Sequence, residues 1–139
     1  MTHYALDTDT TTLLLHGHAE VCARAAAVEA EQLSVTIITV EEILSGWYSQ
    51  IRRAKKDEHL LRAYASLQQA VEFLGRVRIL PMDKEAFEQF RAFRKGKYRI
   101  GSNDLKMAAI AKRHGATLVT ANLSHFKRLL GVKLEDWRD

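Results

Sequence analysis

The sequence predicts an α/β fold: a single three-layer domain in which a mostly parallel central sheet is flanked by helices. Short apolar runs rich in β-branched residues alternate along the chain with longer segments whose apolar residues recur every three or four positions. This alternation is typical of parallel strands joined by right-handed helical crossovers. With 139 residues, the chain is long enough for one substantial core and too short for two, so we expect one domain over 1–139.

Five short runs are the candidate strands. Most of them carry little charge inside the run, as do strands buried between two layers of helices. The candidate strands are 3–7, 34–39, 76–82, 116–121 and the shorter 132–134.

Helical patterns fill the intervals between these strands. Three of them are predicted at 18–31, 40–54 and 56–74. Asp83 is expected to cap a further helix with the sequence "KEAFEQFRAF", whose phenylalanines form an apolar face. Asn103 or Ser102 is expected to cap the helix "DLKMAAIAKRHG", which ends at Gly115.

Composition restricts the class of protein. The formal net charge of +4 weakly favours an anionic partner such as nucleic acid. The single cysteine, Cys22, excludes an internal disulfide and fits a reducing compartment. No secretory signal pattern opens the chain, and no run approaches the roughly 20 apolar residues that span a membrane. We therefore expect a cytoplasmic protein without membrane association.

Oxygen-bearing side chains stand near three of the predicted strands. In an open parallel sheet the carboxyl ends of the strands meet at one edge, where ligands bind. The candidates are Asp7 and Asp9 after the first strand, Glu41 and Glu42 after the second, Asp104 in the helix before the fourth, and Asn122 after the fourth. If the first strand continues through "ALDTDTT", alternation puts its two aspartates on the same side.

Each candidate also has a purely structural interpretation. An aspartate in "LDTD" could cap a helix starting at Thr10. Glu41, Glu42 and Asp104 could be first-turn acids favoured by the helix dipole, and Asn122 could be a turn residue. Taken together, however, clustered anions at one sheet edge gain little without a cation.

Two chemistries suit the opening stretch. In the first, Asp7 is a nucleophile for phosphoryl transfer and Asp9 is its acid/base. In the second, Asp7 is one of several carboxylates that hold a divalent ion for phosphodiester cleavage. Mg²⁺ and Mn²⁺ prefer carboxylate and water oxygen, and such an ion polarises a phosphodiester. The six histidines are scattered and no cysteine pair accompanies them, so a zinc site is not expected.

Four segments, in order, resemble the PIN domain family, and most closely the VapC-type toxins of bacterial toxin–antitoxin pairs. They are "LDTD", "TVEEILSG", "IGSNDLKMAAIAKRHG" and "LVTANLSHF". The resemblance covers nearly the whole chain and implies that Asp7, Glu42 and Asp104 are catalytic and hold the metal. It implies an endoribonuclease that depends on Mg²⁺, with Mn²⁺ as a substitute, and that cleaves structured RNA such as tRNA or rRNA. It also implies a homodimer and inhibition by a cognate VapB-like antitoxin.

The sequence departs from the family pattern at two positions. Many PIN domains have an aspartate where Asn122 stands, and a neutral amide binds Mg²⁺ less strongly, so Asn122 is expected to be a weak or outer-shell ligand. Asp9 stands where the family more often has asparagine, which adds either a ligand or only a charge.

Two alternative functions remain open from the sequence. One is a non-catalytic PIN-like RNA-binding or regulatory domain, which the amide at Asn122 keeps under consideration. The other is a small haloacid-dehalogenase-like phosphatase, which the "DTDTT" start resembles. The chain is short for that fold, and Ser102 follows Gly101 where that family carries an aspartate.

Two basic segments could hold RNA. In "FRKGKYR" the candidates for phosphate contacts are Arg94, Lys95, Lys97 and Arg99, with Tyr98 as a candidate for stacking on a base. The other segment is "QIRRAKKDEHLLR" at 50–62, which is equally well explained as a solvated corner between two helices. Trp47 and Tyr48 either pack in the core or line a groove for an antitoxin helix.

Overall fold

The computed structural model describes residues 1–139 and contains five strands, seven α-helices and a 3₁₀ turn at Ala30–Gln32. The strands are β1 (His3–Leu6), β2 (Leu33–Thr36), β3 (Arg78–Leu80), β4 (Ala116–Val119) and β5 (Leu134–Glu135). The helices are α1 (Thr8–Leu15), α2 (Ala19–Ala27), α3 (Ile37–Arg53), α4 (Asp57–Leu74), α5 (Lys84–Lys95), α6 (Ser102–Arg113) and α7 (Leu123–Phe126).

The five strands form one fully parallel sheet in the order β3-β2-β1-β4-β5. Leu6 in β1 is paired with Val35 of β2 on one side and Val119 of β4 on the other. The chain moves outward from β1 to β2 and β3, then returns to add β4 on the opposite side of β1. The strand order therefore reverses between β1 and β4, and at such a point a crevice opens at the carboxyl ends of the strands.

Both faces of the sheet are buried, which confirms the predicted three-layer α/β fold. Neighbouring residues of a strand point to opposite faces, as in any pleated strand. Ala5 and Leu118 belong to a cluster of 17 buried residues that contains the apolar sides of α5 and α6. Leu6 and Val119 belong to a second cluster, of 8 buried residues, which includes side chains of α2, α3 and α4.

The structure contains a helix that was not predicted, α1, and α3 begins earlier than the sequence predicts. β1 ends at Leu6 and α1 starts at Thr8, while β2 ends at Thr36 and α3 starts at Ile37. The physical reason is capping: Asp7 accepts a hydrogen bond from the Thr10 N–H, and Thr36 accepts one from the Thr39 N–H. The expectation that β1 continues through the aspartates is therefore wrong.

The helix predicted at 18–31 ends at Ala27 and is followed by the 3₁₀ turn. The other helix predictions are confirmed with one exception. Asp83 caps α5 through the Ala86 N–H at 2.8 Å, and Gly115 follows α6 with a left-handed φ of 66°. The exception is the start of α6, where Gly101 is the N-cap residue and no side chain makes the capping bond. The predicted caps, Ser102 and Asn103, lie inside the helix.

The C-terminal residues complete the second face of the sheet. Trp137 is buried, and its ring lies 5.1 Å from that of Tyr4 between centroids. The indole N–H donates a 2.9 Å hydrogen bond to Glu135 at the end of β5. No helix of the chain combines the length and apolar character that crossing a bilayer requires.

Candidate active site

A cleft of about 300 Å³ opens at the reversal of strand order, beyond the carboxyl end of β1. Its six lining residues are Asp7, Thr8, Asp9, Glu42, Asp104 and Met107. Four of the six are acidic and none is a lysine or arginine. The structure thus brings the three predicted catalytic acids together, from the end of β1, the second turn of α3 and the first turn of α6.

Asp7 is the most buried of the four acids. Its side chain caps α1, with the Thr10 N–H donating to Oδ1 at 2.8 Å, and the residue is 7% exposed. Burial raises the pKa of Asp7, because a charged carboxylate loses hydration there. Hydrogen bonding by Thr10 and Thr120 offsets part of that rise. Asp7 therefore both caps α1 and presents a carboxyl group to the cleft.

Glu42 is held by two side chains from different elements. The Thr8 hydroxyl donates to its Oε1, and the amide of Asn103 donates to its Oε2 at 3.2 Å. Glu42 lies beyond the first turn of α3, so the alternative interpretation as an acid placed by the helix dipole does not apply. Both oxygens are fixed by neutral donors, which orients the carboxylate without neutralising it.

Asp104 lies beside a histidine from α7. Its Oδ2 is 3.3 Å from Nε2 of His125. Burial raises the pKa of Asp104, His125 lowers it, and the nearby carboxylates of Glu42 and Asp9 raise it further. For both Asp7 and Asp104 the largest cause of the raised pKa is desolvation, and the neighbouring carboxylates contribute less.

The donor set of the cleft fits a hard divalent cation. Carboxylate oxygens converge there without a lysine or arginine, and burying carboxylates without a compensating cation is unfavourable. In the present side-chain positions, no three His, Cys, Asp or Glu residues are gathered closely enough to ligate one ion directly. Mg²⁺ keeps several waters and uses only one or two carboxylates directly, so the spacing is compatible with it.

Asn122 does not line the cleft. It is exposed, it precedes α7 without making a side-chain capping bond, and its backbone N–H donates to the Thr120 hydroxyl at 3.0 Å. The fully buried Thr120 instead contributes from this segment, because it lowers the pKa of Asp7.

The predicted phosphate-binding residues are all exposed around the turn between α5 and α6. They are Arg94, Lys95, Lys97 and Arg99, and none of them forms an ion pair within the chain. This turn leads directly into the first turn of α6, which carries Asp104. Tyr98 is half-buried against the core and lies over Gly96, where an added Cβ would meet its ring at 2.5 Å. Its ring is therefore not free to stack on a base.

Sequence reasoning missed the residues that orient the acids. They are Thr8, Asn103, Thr120 and His125. Three of them stand within two residues of a predicted ligand, which is the only signal that the sequence offered. A neutral hydroxyl or amide carries no charge pattern, so only the packing of α3, α6 and α7 identifies its partner.

The chain belongs to the PIN domain family, because the model of the PIN domain matches residues 4–130. Two curated relatives agree with this. Ribonuclease VapC2 of Haemophilus influenzae is 34% identical over 113 residues, covering 78% of this chain and 77% of that protein. The tRNA(fMet)-specific endonuclease VapC of Salmonella typhimurium is 28% identical over 142 residues, covering 99% of each chain.

Solved structures with the same fold come from toxin–antitoxin complexes. A chain of VapBC2 from Rickettsia felis, bound to a DNA fragment from its promoter, superposes with a TM-score of 0.77 at 25% identity, covering 98% of this chain and 99% of that one. A chain of DNA-bound VapBC from Salmonella typhimurium gives 0.76 at 26% identity and covers 99% of both chains.

Proposed function

We propose that this chain is a VapC-type endoribonuclease, the toxin component of a toxin–antitoxin pair, and that it depends on Mg²⁺, with Mn²⁺ as a substitute. One observation carries the proposal. Asp7, Glu42 and Asp104 converge on a cleft that no lysine or arginine lines, at the point where a parallel sheet binds its ligands. The relatives named ribonuclease and endonuclease VapC support the same activity.

The three acids would hold the ion, and the surrounding side chains would orient the acids. When bound, the ion polarises the scissile phosphodiester and lowers the pKa of a water ligand. Thr8 and Asn103 fix both oxygens of Glu42, and His125 restrains Asp104. Asp7 is fixed by its capping bond to α1. Asn122 is proposed as an outer-shell ligand of the ion at most, since it does not line the cleft.

The proposed substrate is structured RNA of the tRNA or rRNA class. The name of the Salmonella relative, a tRNA(fMet)-specific endonuclease, supports this class. Arg94, Lys95, Lys97 and Arg99 are proposed to hold phosphates beside the cleft, because they are exposed, form no ion pair and are adjacent to α6. The guanidinium of Arg94 also lies over the Phe90 ring, 5.0 Å from its centroid.

The proposed partners are a VapB-like antitoxin and a second copy of this chain. Both solved relatives described above are VapBC assemblies. A groove of about 240 Å³ between α1, α3 and α4 includes Leu15, Ile43 and Trp47 and reaches Glu42. It is placed so that an amphipathic antitoxin segment bound there would also obstruct the cleft.

A cleavage assay tests the proposal. Purified protein is incubated with total tRNA and with rRNA, in Mg²⁺ and in EDTA, and new 5′ ends are sequenced. We expect discrete cuts in Mg²⁺, none in EDTA, and none with an Asp104→Asn variant that retains its circular dichroism spectrum. RNA binding without cleavage under all conditions would favour the non-catalytic alternative. The phosphatase alternative is not retained, because the chain belongs to the PIN domain family.

A further inference from the structure

A basic groove lies at the far end of the α3–α4 hairpin from the cleft. It has a volume of about 600 Å³ and is lined by ten residues, none of which is acidic. Five of the ten are basic side chains, namely Arg53, Lys55, Lys56, His59 and Arg62. We refer to it as the hairpin groove.

The basic residues of the hairpin groove form no ion pair, and the neighbouring acids Asp57 and Glu58 do not line it. All five basic residues are exposed. None of them takes part in any of the ion pairs of the structure, which involve other basic residues throughout. Arg53 ends α3, where a cation is favoured by the helix dipole, but that effect does not explain why four further basic residues converge on the same space.

A polar trough connects the hairpin groove with the acidic cleft. The trough has a volume of about 440 Å³ and no apolar lining residue. Two carboxylates, Glu41 and Glu42, line the trough together with Asn103, and they lie at its cleft end. Arg53 belongs both to the trough and to the hairpin groove. Along one side of α3 it follows Glu42, Gly46, Gln50 and Arg53, which share a helix face. At 1.5 Å per residue this face spans about 16 Å.

Gly46 leaves open space over α3 at the middle of the trough. A glycine inside a helix is unfavourable compared with alanine. Nothing lies within 4 Å of the position that a Cβ would take at Gly46, so packing within the chain does not require a glycine. The open space belongs to the trough. Close approach of an external chain is a physical reason for a residue without a side chain at this place.

We propose that the trough and the hairpin groove bind the strand of RNA that flanks the scissile phosphate, with phosphates held by Arg53 and Lys56. This rests on the proposed ribonuclease function and adds a second phosphate-binding site to the one proposed at the α5–α6 turn. Along α3 the side chains change from the carboxylate of Glu42 at the cleft to the guanidinium of Arg53 at the hairpin groove. An RNA strand bound in this direction meets the catalytic acids and then a compensating cation.

RNA suits this path better than an acidic protein segment does. A protein segment docking between helices normally requires apolar pockets for its anchoring side chains, and the trough has none. A phosphate backbone needs cations and neutral hydrogen-bonding groups, which the serines, Gln50 and Arg53 of the trough supply.

The experiment measures RNA affinity across a salt series. The probe is a fluorescein-labelled single-stranded oligouridylate, and every protein carries Asp104→Asn so that the probe stays intact. The test variant is Arg53→Gln with Lys56→Gln. The matched control is Arg76→Gln with Arg78→Gln, which removes the same charge at the amino end of β3, whereas the cleft lies beyond the carboxyl ends of the strands. A third protein carries Gly46→Leu, which fills the trough without changing charge.

We expect the test variant to flatten the slope of log affinity against log salt by about 0.7 for each lost phosphate contact. The control should keep the parental slope. Gly46→Leu should weaken binding at every salt concentration with an unchanged slope. If the test variant kept the parental slope of log affinity against log salt, the inference would be overturned. It would also be overturned if the test variant lost binding of a VapB-like antitoxin but kept its RNA affinity. Absence of RNA cleavage by the wild-type chain would instead refute the proposed function, which separates the two failures.

Discussion

Asp7 is both the N-cap of α1 and a buried carboxylate of the cleft. Burial raises its pKa in the folded chain, so the folded state binds this proton more tightly than the unfolded state does. An unfolded aspartate ionises at about pH 4, so ionisation of Asp7 lowers the free energy of unfolding as the pH rises above that value. Asparagine caps helices as well as aspartate does. We expect Asp7→Asn to raise the melting temperature of the metal-free protein at neutral pH, with the gain vanishing below about pH 4.

Thermal unfolding between pH 3 and pH 8 checks this expectation, with Asp7→Ala as the control that loses the cap. The alanine variant should be less stable than the asparagine variant by about 1 kcal/mol. A melting temperature of Asp7→Asn below that of the wild type at neutral pH would mean that the ionised carboxylate stabilises the fold.

Asn103 orients Glu42 without entering the cleft. Removing a residue that orients a metal ligand typically costs about 10- to 100-fold in activity or metal affinity. We expect Asn103→Ala to lower kcat within that range, Asn103→Gln to restore part of it, and Ser102→Ala to have no effect. A KM effect alone would assign Asn103 to substrate binding instead.

The acids of the cleft could be predicted from the sequence, whereas the residues that orient them could not. Carboxylates next to strand ends have only a few chemical uses, and the family-like motifs set their register. Thr8 and Asn103 carry no such constraint, because many polar residues stand near helix N-termini for capping alone. Asn122 was expected at the edge of the site, and its exposed position shows that following a strand does not by itself aim a side chain into the crevice.

Helix boundaries follow from capping, and they depart from prediction where capping competes with strand propensity. The β-branched "TIIT" was assigned to a strand, but Thr36 caps α3 within it. The Asp83 cap of α5 was found, because an aspartate before a charged amphipathic run has few other uses. At α6 the cap is Gly101, which leaves Asn103 free for Glu42.

Asp83 provides the element-scale prediction. Its side chain caps α5 at 2.8 Å, and it lies 3.4 Å from Arg113 and 3.6 Å from His114 at the end of α6. Asp83→Ala removes the cap and these contacts, so we expect a loss of about 1 to 2 kcal/mol in the free energy of unfolding. Urea denaturation measures it, with Glu85→Ala as the control for the exposed contact to Arg113. A loss no larger than that of the control would show that the cap contributes little.

At the scale of the whole molecule, the parallel sheet determines where the site is. The reversal of strand order between β1 and β4 opens one crevice. α3 contributes Glu42 to this crevice, and α6 contributes Asp104. The alternation of strands and helices was sufficient to predict this architecture. The trough along α3 could not be predicted, since it depends on which face of α3 the core leaves open.

The most direct test of the central claim is a calorimetric titration of Mn²⁺ into the metal-free protein. We predict one class of binding in the wild type, strongly weakened by each of Asp7→Asn, Glu42→Gln and Asp104→Asn, and little changed by Asn122→Ala. Those results require a single ion shared by acids from three separate elements. Wild-type affinity in any one of the three acid variants, or no binding by the wild type, would contradict the account.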